Sequence, residues 1–168
     1  VSTPVDGHAG SDPALRLAQD LVAELTRRGR TVAAAESLTA GLVCATLARV
    51  PGASAVLRGG LVVYATDLKR DLAGVDGALL AERGAVNPEV AAQLAEGARV
   101  RCGADWGLGL TGAAGPDAQD GAAPGTVHVA LAGAGLAQGR THHIAGDRAA
   151  VRRGAVEAAL RLLREHLR

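Results

Sequence analysis

Apolar positions recur at two different periods along this chain, and each change of period marks an element. Leu15, Leu17, Ala18, Leu21, Val22 and Leu25 form one stripe at helical spacing. Asp12 stands ready as a cap, Pro13 suits the first turn, and Gly29 ends the stripe, so a helix is predicted from Pro13 to Gly29. Thr31 to Ala35 is an apolar run of strand length. A helix is predicted from about Thr39 to Ala48, stopped by Pro51-Gly52. Arg58 to Ala65 reads as a second strand, and a short helix after it carries Lys69. Asp76 to Val86 reads as irregular. Asn87 then caps a helix that Pro88 opens and that runs to about Arg101.

The second half alternates more openly. Asp105 to Thr111 is apolar at Leu108 and Leu110 and reads as a third strand. A loop rich in Gly, Ala, Pro and Asp follows, from Gly112 to Pro124. Val127, Val129 and Leu131 alternate through a fourth strand, Gly125 to Ala132. After a turn at Gly133 to Gly135, Arg140 to Ile144 reads as a fifth. Gly146-Asp147-Arg148 opens a last amphipathic helix that reaches the C-terminus. Strands alternate with helices until the final two, which a short turn joins. That order predicts an α/β fold, a three-layer α/β/α sandwich with a mixed, roughly five-stranded sheet. Residues 1–12 are expected to be a flexible tail and 13–168 a single domain.

Composition narrows the picture. With 168 residues, one Trp, one Tyr and no Phe, the core must be built from Leu, Val, Ile and Ala. Small side chains let helices approach the sheet closely. A chain of this size needs neither disulfides nor metal for stability. Cys44 and Cys102 fall in apparently helical segments and read as reduced thiols of a cytoplasmic protein. The net charge of +1 argues against nucleic acid as a partner. No apolar run is long enough to span a bilayer, so no membrane partner is expected. Val1 to Asp12 lacks the basic start and apolar stretch of a secretory leader.

Lys69 is the only lysine among 18 basic residues, and Tyr64, five positions before it, is the only tyrosine. The drift towards Ala, Gly, Arg, Leu and Val turns ordinary surface lysines into arginines. A lysine that persists points to a need for an amine, which can lose its proton where guanidinium cannot.

Three strand ends carry further candidates. In open α/β sheets, sites form outside the carboxyl ends of the strands. Ser37 falls where the first strand ends and a helix begins, and a hydroxyl beside free helix-terminal N–H groups can act as a nucleophile with an oxyanion hole. Equally, Ser37 or Thr39 can be a simple helix cap. Thr111-Gly112-Ala113-Ala114-Gly115-Pro116 is a second strand-end loop whose small residues let backbone N–H groups approach an anion. It lacks the Lys-Ser/Thr ending of a P-loop. Tyr64 ends a third strand. Arg148 and Arg152, one turn apart, can hold a phosphate or carboxylate, although most surface arginines do not. His142 and His143 point to opposite faces of their strand and read as structural, so no metal site is expected.

At these positions the chain resembles the CinA C-terminal domain family. The resemblance rests on Ala35-Glu36-Ser37-Leu38-Thr39-Ala40-Gly41, Val50-Pro51-Gly52-Ala53-Ser54, Gly60-Leu61-Val62-Val63-Tyr64 with Lys69, and Gly84-Ala85-Val86. It continues through Leu110-Thr111-Gly112-Ala113-Ala114-Gly115-Pro116 and Gly125-Thr126-Val127, and covers about Pro13 to Leu167. Members often carry an extra N-terminal domain similar to molybdopterin-binding proteins, for which this chain is expected to have no room. Three departures stand out. The family often reads Cys-Thr-Gly-Gly where this chain has Leu38-Thr39-Ala40-Gly41, and usually has Ile at Ala113. The stretch Asp117 to Pro124 lacks the usual Lys-Pro-Val. They bear on substrate contacts of the loop and leave Ser37, Tyr64, Lys69 and Thr111 intact.

The resemblance implies a nicotinamide-nucleotide amidohydrolase, which converts nicotinamide mononucleotide to nicotinate mononucleotide and ammonia without metal or other cofactor. It implies Ser37 as nucleophile, Lys69 as base, Tyr64 as orienting group or proton relay, and Thr111 with backbone N–H groups at the oxyanion. Arg148 is the expected phosphate ligand, with Thr39, Gly41, Gly112 and Gly115 also contacting the nucleotide. A cytoplasmic homodimer acting on a small nucleotide in pyridine nucleotide salvage is the expected setting. The alternatives are a nucleotide-binding or regulatory module without turnover, and an amidase for another small amide.

Overall fold

The structure, a computed structural model, describes residues 12–167, so the tail expected at 1–12 lies outside the described residues apart from Asp12. Among the described residues six α-helices and five strands follow one another. They are α1 (Pro13–Arg28), β1 (Val32–Glu36), α2 (Leu42–Ala48), β2 (Leu57–Val62), α3 (Thr66–Asp71) and α4 (Gly77–Arg83). Then come α5 (Pro88–Arg101), β3 (Trp106–Gly112), β4 (Thr126–Gly133), β5 (Leu136–His143) and α6 (Arg148–His166). The strands form one sheet in the order β2-β1-β3-β4-β5. β2 and β3 both run parallel to β1, while β4 is antiparallel to β3 and to β5. The sheet is therefore mixed, and the predicted three-layer α/β/α arrangement holds.

Each strand's alternation sends its side chains into two cores. Val32, Ala34, Leu108, Leu110, Val127 and Val129 pack with α1, α2 and α6. Ala33 and Ala35 pack on the other side with Val90, Leu94 and Ala98 of α5. This second interface is very close. A Cβ on Gly107 would stand 2.0 Å from the Ala95 carbonyl oxygen, and one on Gly109 would stand 2.1 Å from that of Ala91. Only glycine lets α5 sit so near β3, which is how a core almost without aromatics closes its gaps. The predicted caps are in place: Asp12 accepts from Ala14 and Leu15, Asn87 from Val90, and Asp147 from Ala150.

Several element boundaries differ from the sequence reading. α2 begins at Leu42, because a turn at 37–41 intervenes after β1. β2 stops at Val62, which leaves Tyr64 in the link to α3 rather than on a strand. The stretch read as irregular contains α4, capped by Asp76. β5 begins at Leu136 because the hairpin pairs all the way to Gly133↔Leu136. Cys102 follows α5 instead of lying within it. Among the described residues no helix is long and apolar enough to cross a membrane.

Candidate active site

The carboxyl ends of β1, β2 and β3 bring the candidates together. Glu36 pairs with Val62 on one side and Leu110 on the other. The ladder continues past it: Val63 N–H donates to Glu36 C=O at 2.9 Å, and Ser37 N–H donates to Leu110 C=O at 3.0 Å. One step further along the register, Ser37 lies between Val63 and Thr111, neighbours at the spacing of adjacent strands. Ala33, Ala35 and Val63 belong to the α5 side of the sheet, and alternation places Ser37 on that same side.

Lys69 reaches this point from α3. It is 1% exposed. Its Nζ donates to the carbonyl oxygens of Val63 at 2.9 Å and Tyr64 at 3.1 Å. Burial pushes the amine below its ordinary proton affinity, while the carboxylates of Asp120 and Asp67 act in the opposite sense. Thr111 is also buried, and its Oγ1 donates to the Ala85 carbonyl at 2.7 Å. In this arrangement the hydroxyl is directed at the backbone before α5 and not at Ser37.

Glu36 organises the turn that carries Ser37. Its side chain is 1% exposed and accepts three backbone N–H groups at 3.0 Å, from Gly41, Val43 and Cys44. The N-terminal donors of α2 are therefore occupied by a carboxylate from the chain itself. Neither Ser37 nor Thr39 caps this helix, which disposes of the capping alternative. The free helix-terminal N–H groups expected beside Ser37 are likewise taken, and the Gly41 N–H is not open to a substrate. The donors left over are those of Leu38 and Thr39, whose N–H groups meet no acceptor among the described residues. The Thr39 hydroxyl is buried without a partner. Ala40 adopts φ 50, in the left-handed region.

Two arginines of α6 hold the strand-end loops. Arg152 donates from Nε to the Leu38 carbonyl at 2.8 Å and from Nη2 to the Thr39 carbonyl at 2.9 Å. Arg148 donates to the Gly115 carbonyl at 2.9 Å and to the Tyr64 hydroxyl at 2.5 Å. Tyr64 is thus turned to Arg148, with 54% of its surface exposed, while its backbone carbonyl serves Lys69. Gly112 closes β3 opposite Val127.

Sequence reasoning missed Glu36 and Asp120, and it discounted Arg152. Glu36 did carry a signal, as a carboxylate at the end of an otherwise apolar strand. Asp120 carried none, because its partners Ala85 and Val86 lie 35 and 34 residues away. His128 was also overlooked. It is buried beside Thr111 in the β3–β4 pairing, with Nδ1 2.9 Å from Thr141 Oγ1. Among the described residues no group of three or more His, Cys, Asp or Glu could hold a metal ion.

The sequence profile of the CinA C-terminal domain matches residues 14–167. A CinA-like protein of Frankia casuarinae is 48% identical over 143 residues, covering 85% of this chain and 33% of that protein. One from Anaeromyxobacter dehalogenans is 50% identical over 149 residues, covering 88% and 36%. The chain spans about a third of the length of these curated relatives. Among solved structures, the competence/damage inducible protein CihA from Agrobacterium tumefaciens superposes with a TM-score of 0.88 at 31% identity, over 98% of both chains.

Proposed function

The chain belongs to the CinA C-terminal domain family, and we propose that it hydrolyses the carboxamide of nicotinamide mononucleotide by acyl transfer through Ser37. The observation that carries this reading is the bonding of Lys69. A neutral amine has two N–H groups and one lone pair. Nζ donates two hydrogen bonds, to Val63 and Tyr64, and takes part in none of the ion pairs found among the described residues. Both bonds can be made by the neutral amine with its lone pair left over to accept a proton, and burial favours that form.

In the proposed reaction Ser37 Oγ attacks the amide carbon and its proton passes to Nζ of Lys69. The negative charge that builds on the carbonyl oxygen is met by the unpaired N–H groups of Leu38 and Thr39. Arg152 fixes the Thr39 N–H by holding the Leu38 carbonyl, because the N–H and C=O of one trans peptide point in opposite directions. Nζ returns the proton to the leaving nitrogen as ammonia departs. Water then attacks the acyl-Ser37 ester and gives a proton to Nζ; collapse breaks the bond to Ser37 Oγ, which takes that proton back from Nζ, and the nicotinic acid product leaves and loses its own proton to solvent as the carboxylate. Thr111 shapes the wall of the site through Ala85. Arg148 retains N–H groups beyond its bonds to Gly115 and Tyr64 and meets the phosphate.

Ammonia release tests the reading, with nicotinamide mononucleotide, nicotinamide and glutamine compared side by side. Release from the mononucleotide alone is expected. No release from any of the three overturns the reaction, and release from glutamine or nicotinamide instead overturns the substrate.

A further inference from the structure

Between α4 and α5, residues 84–87 belong to no helix or strand, so their backbone depends on side chains for its hydrogen bonds. Ala85 and Val86 are buried. Asn87 Nδ2 donates to the Gly84 carbonyl at 2.8 Å. Asp120, from the loop between β3 and β4, accepts at Oδ2 from Ala85 N–H at 2.7 Å and from Val86 N–H at 3.3 Å. Thr111 Oγ1 donates to the Ala85 carbonyl at 2.7 Å. The Ala85 carbonyl and the Val86 N–H belong to one trans peptide, so Thr111 and Asp120 grip that peptide from opposite sides. Each bond polarises the peptide and strengthens the other.

The two grips lead to different parts of the site. Thr111 lies beside Ser37 in the register of the sheet. Asp120 sits at the tip of the β3–β4 loop, where Gln119 and Ala122 exchange backbone hydrogen bonds of 3.0 and 2.9 Å. Its seat is close: a Cβ on Gly84 would stand 2.7 Å from Asp120 Cβ. The stem of the same loop carries Gly115, to whose carbonyl Arg148 donates at 2.9 Å. We propose that the Ala85–Val86 peptide is a brace between the β3–β4 loop and the wall of the Ser37 site, with Thr111 and Asp120 as its positioning residues. The Thr111 hydroxyl proton is committed to Ala85, so this residue fixes the wall and is not a donor to the oxyanion. Asp120 fixes the loop against which Arg148 is set to meet the phosphate. The proposal rests on the reading of this site as that of a nucleotide amidohydrolase.

A double-mutant cycle on mononucleotide hydrolysis tests the brace. Thr111→Val and Asp120→Ala are each expected to raise KM by about three- to tenfold, the worth of one hydrogen bond, and to lower kcat less. The double variant is expected to be no worse than the more impaired single one, because either change already breaks the brace. Thr111→Ser keeps the donor and Asp120→Asn keeps an acceptor, and each should lose less than its partner variant. Effects that multiply in the double variant, or a kcat loss in Thr111→Val that exceeds its rise in KM, overturn the proposal. Amide hydrogen exchange gives a readout that needs no substrate. Thr111→Val should speed exchange at the loop tip, 119–122, as well as at 84–86, and an unchanged tip overturns the brace. If the wild-type chain releases no ammonia while the tip responds to Thr111→Val, the proposed reaction fails and the brace stands. If the wild-type chain is active and the tip does not respond, the reaction stands and the brace fails.

Discussion

Lys69 donates from Nζ to the carbonyl oxygen of Val63 at 2.9 Å, and Val63 is the residue set beside Ser37 in the sheet. The amine is thereby aimed at the end of β1 from α3, whose Leu68 also packs against this face. Its length and bonding suit an amine and not a guanidinium.

Lys69→Arg is expected to fold and to lose ammonia release by about 10²–10⁴-fold, the range that a general base contributes. Arginine keeps the charge and cannot take up a proton. Initial rates, with a thermal melt as the folding control, decide the matter, and near-normal turnover would remove Lys69 from the mechanism.

Lys69 also leaves a mark on stability. Its folded amine holds a proton less tightly than the unfolded one, whose ordinary value is 10.5. Between the lowered folded value and 10.5 the unfolded chain binds more protons, so stability rises with pH across that window. Below the window both states are protonated and the cost of the buried ammonium is fully present. Urea unfolding at stepped pH should show this rise in the wild type and a flatter profile in Lys69→Met. Stability that falls with pH in the wild type relative to that variant would contradict it.

Ser37→Ala should separate chemistry from folding. Because Glu36 and not Ser37 serves the donors of α2, the change is expected to leave the melting temperature almost unaltered. Loss of an activated nucleophile removes on the order of a millionfold in rate. Full activity in this variant sinks the covalent route, and a large drop in melting temperature would restore a structural role for the hydroxyl.

Glu36→Ala strands three backbone N–H groups next to the nucleophile. At about 1–3 kcal/mol for each unsatisfied donor, a loss of at least ~3 kcal/mol is expected. Glu36→Gln, which keeps one acceptor oxygen, should lose less. Urea denaturation of the two variants measures both figures, and a wild-type midpoint in Glu36→Ala would show that water replaces the carboxylate without cost.

Local pattern made most of the fold legible. The stripe from Leu15 to Leu25, the alternation of Val127, Val129 and Leu131, and the caps Asp12, Asn87 and Asp147 each express a rule that acts within one or two turns or strands. The sheet's mixed character followed from the order of elements, and the solitary Lys69 was visible as a count. Tertiary structure decided the rest. Nothing local says that Glu36 folds back on α2, since Ser37 and Thr39 have the better credentials as caps, and only burial in the sheet makes the carboxylate the acceptor that lies in reach. Tyr64 pairs with Arg148 across 84 residues, and Asp120 finds Ala85 across 35. Such bonds depend on where the packed layers set each loop, and a single chain read in order carries periodicity and propensity but no distances between its distant parts.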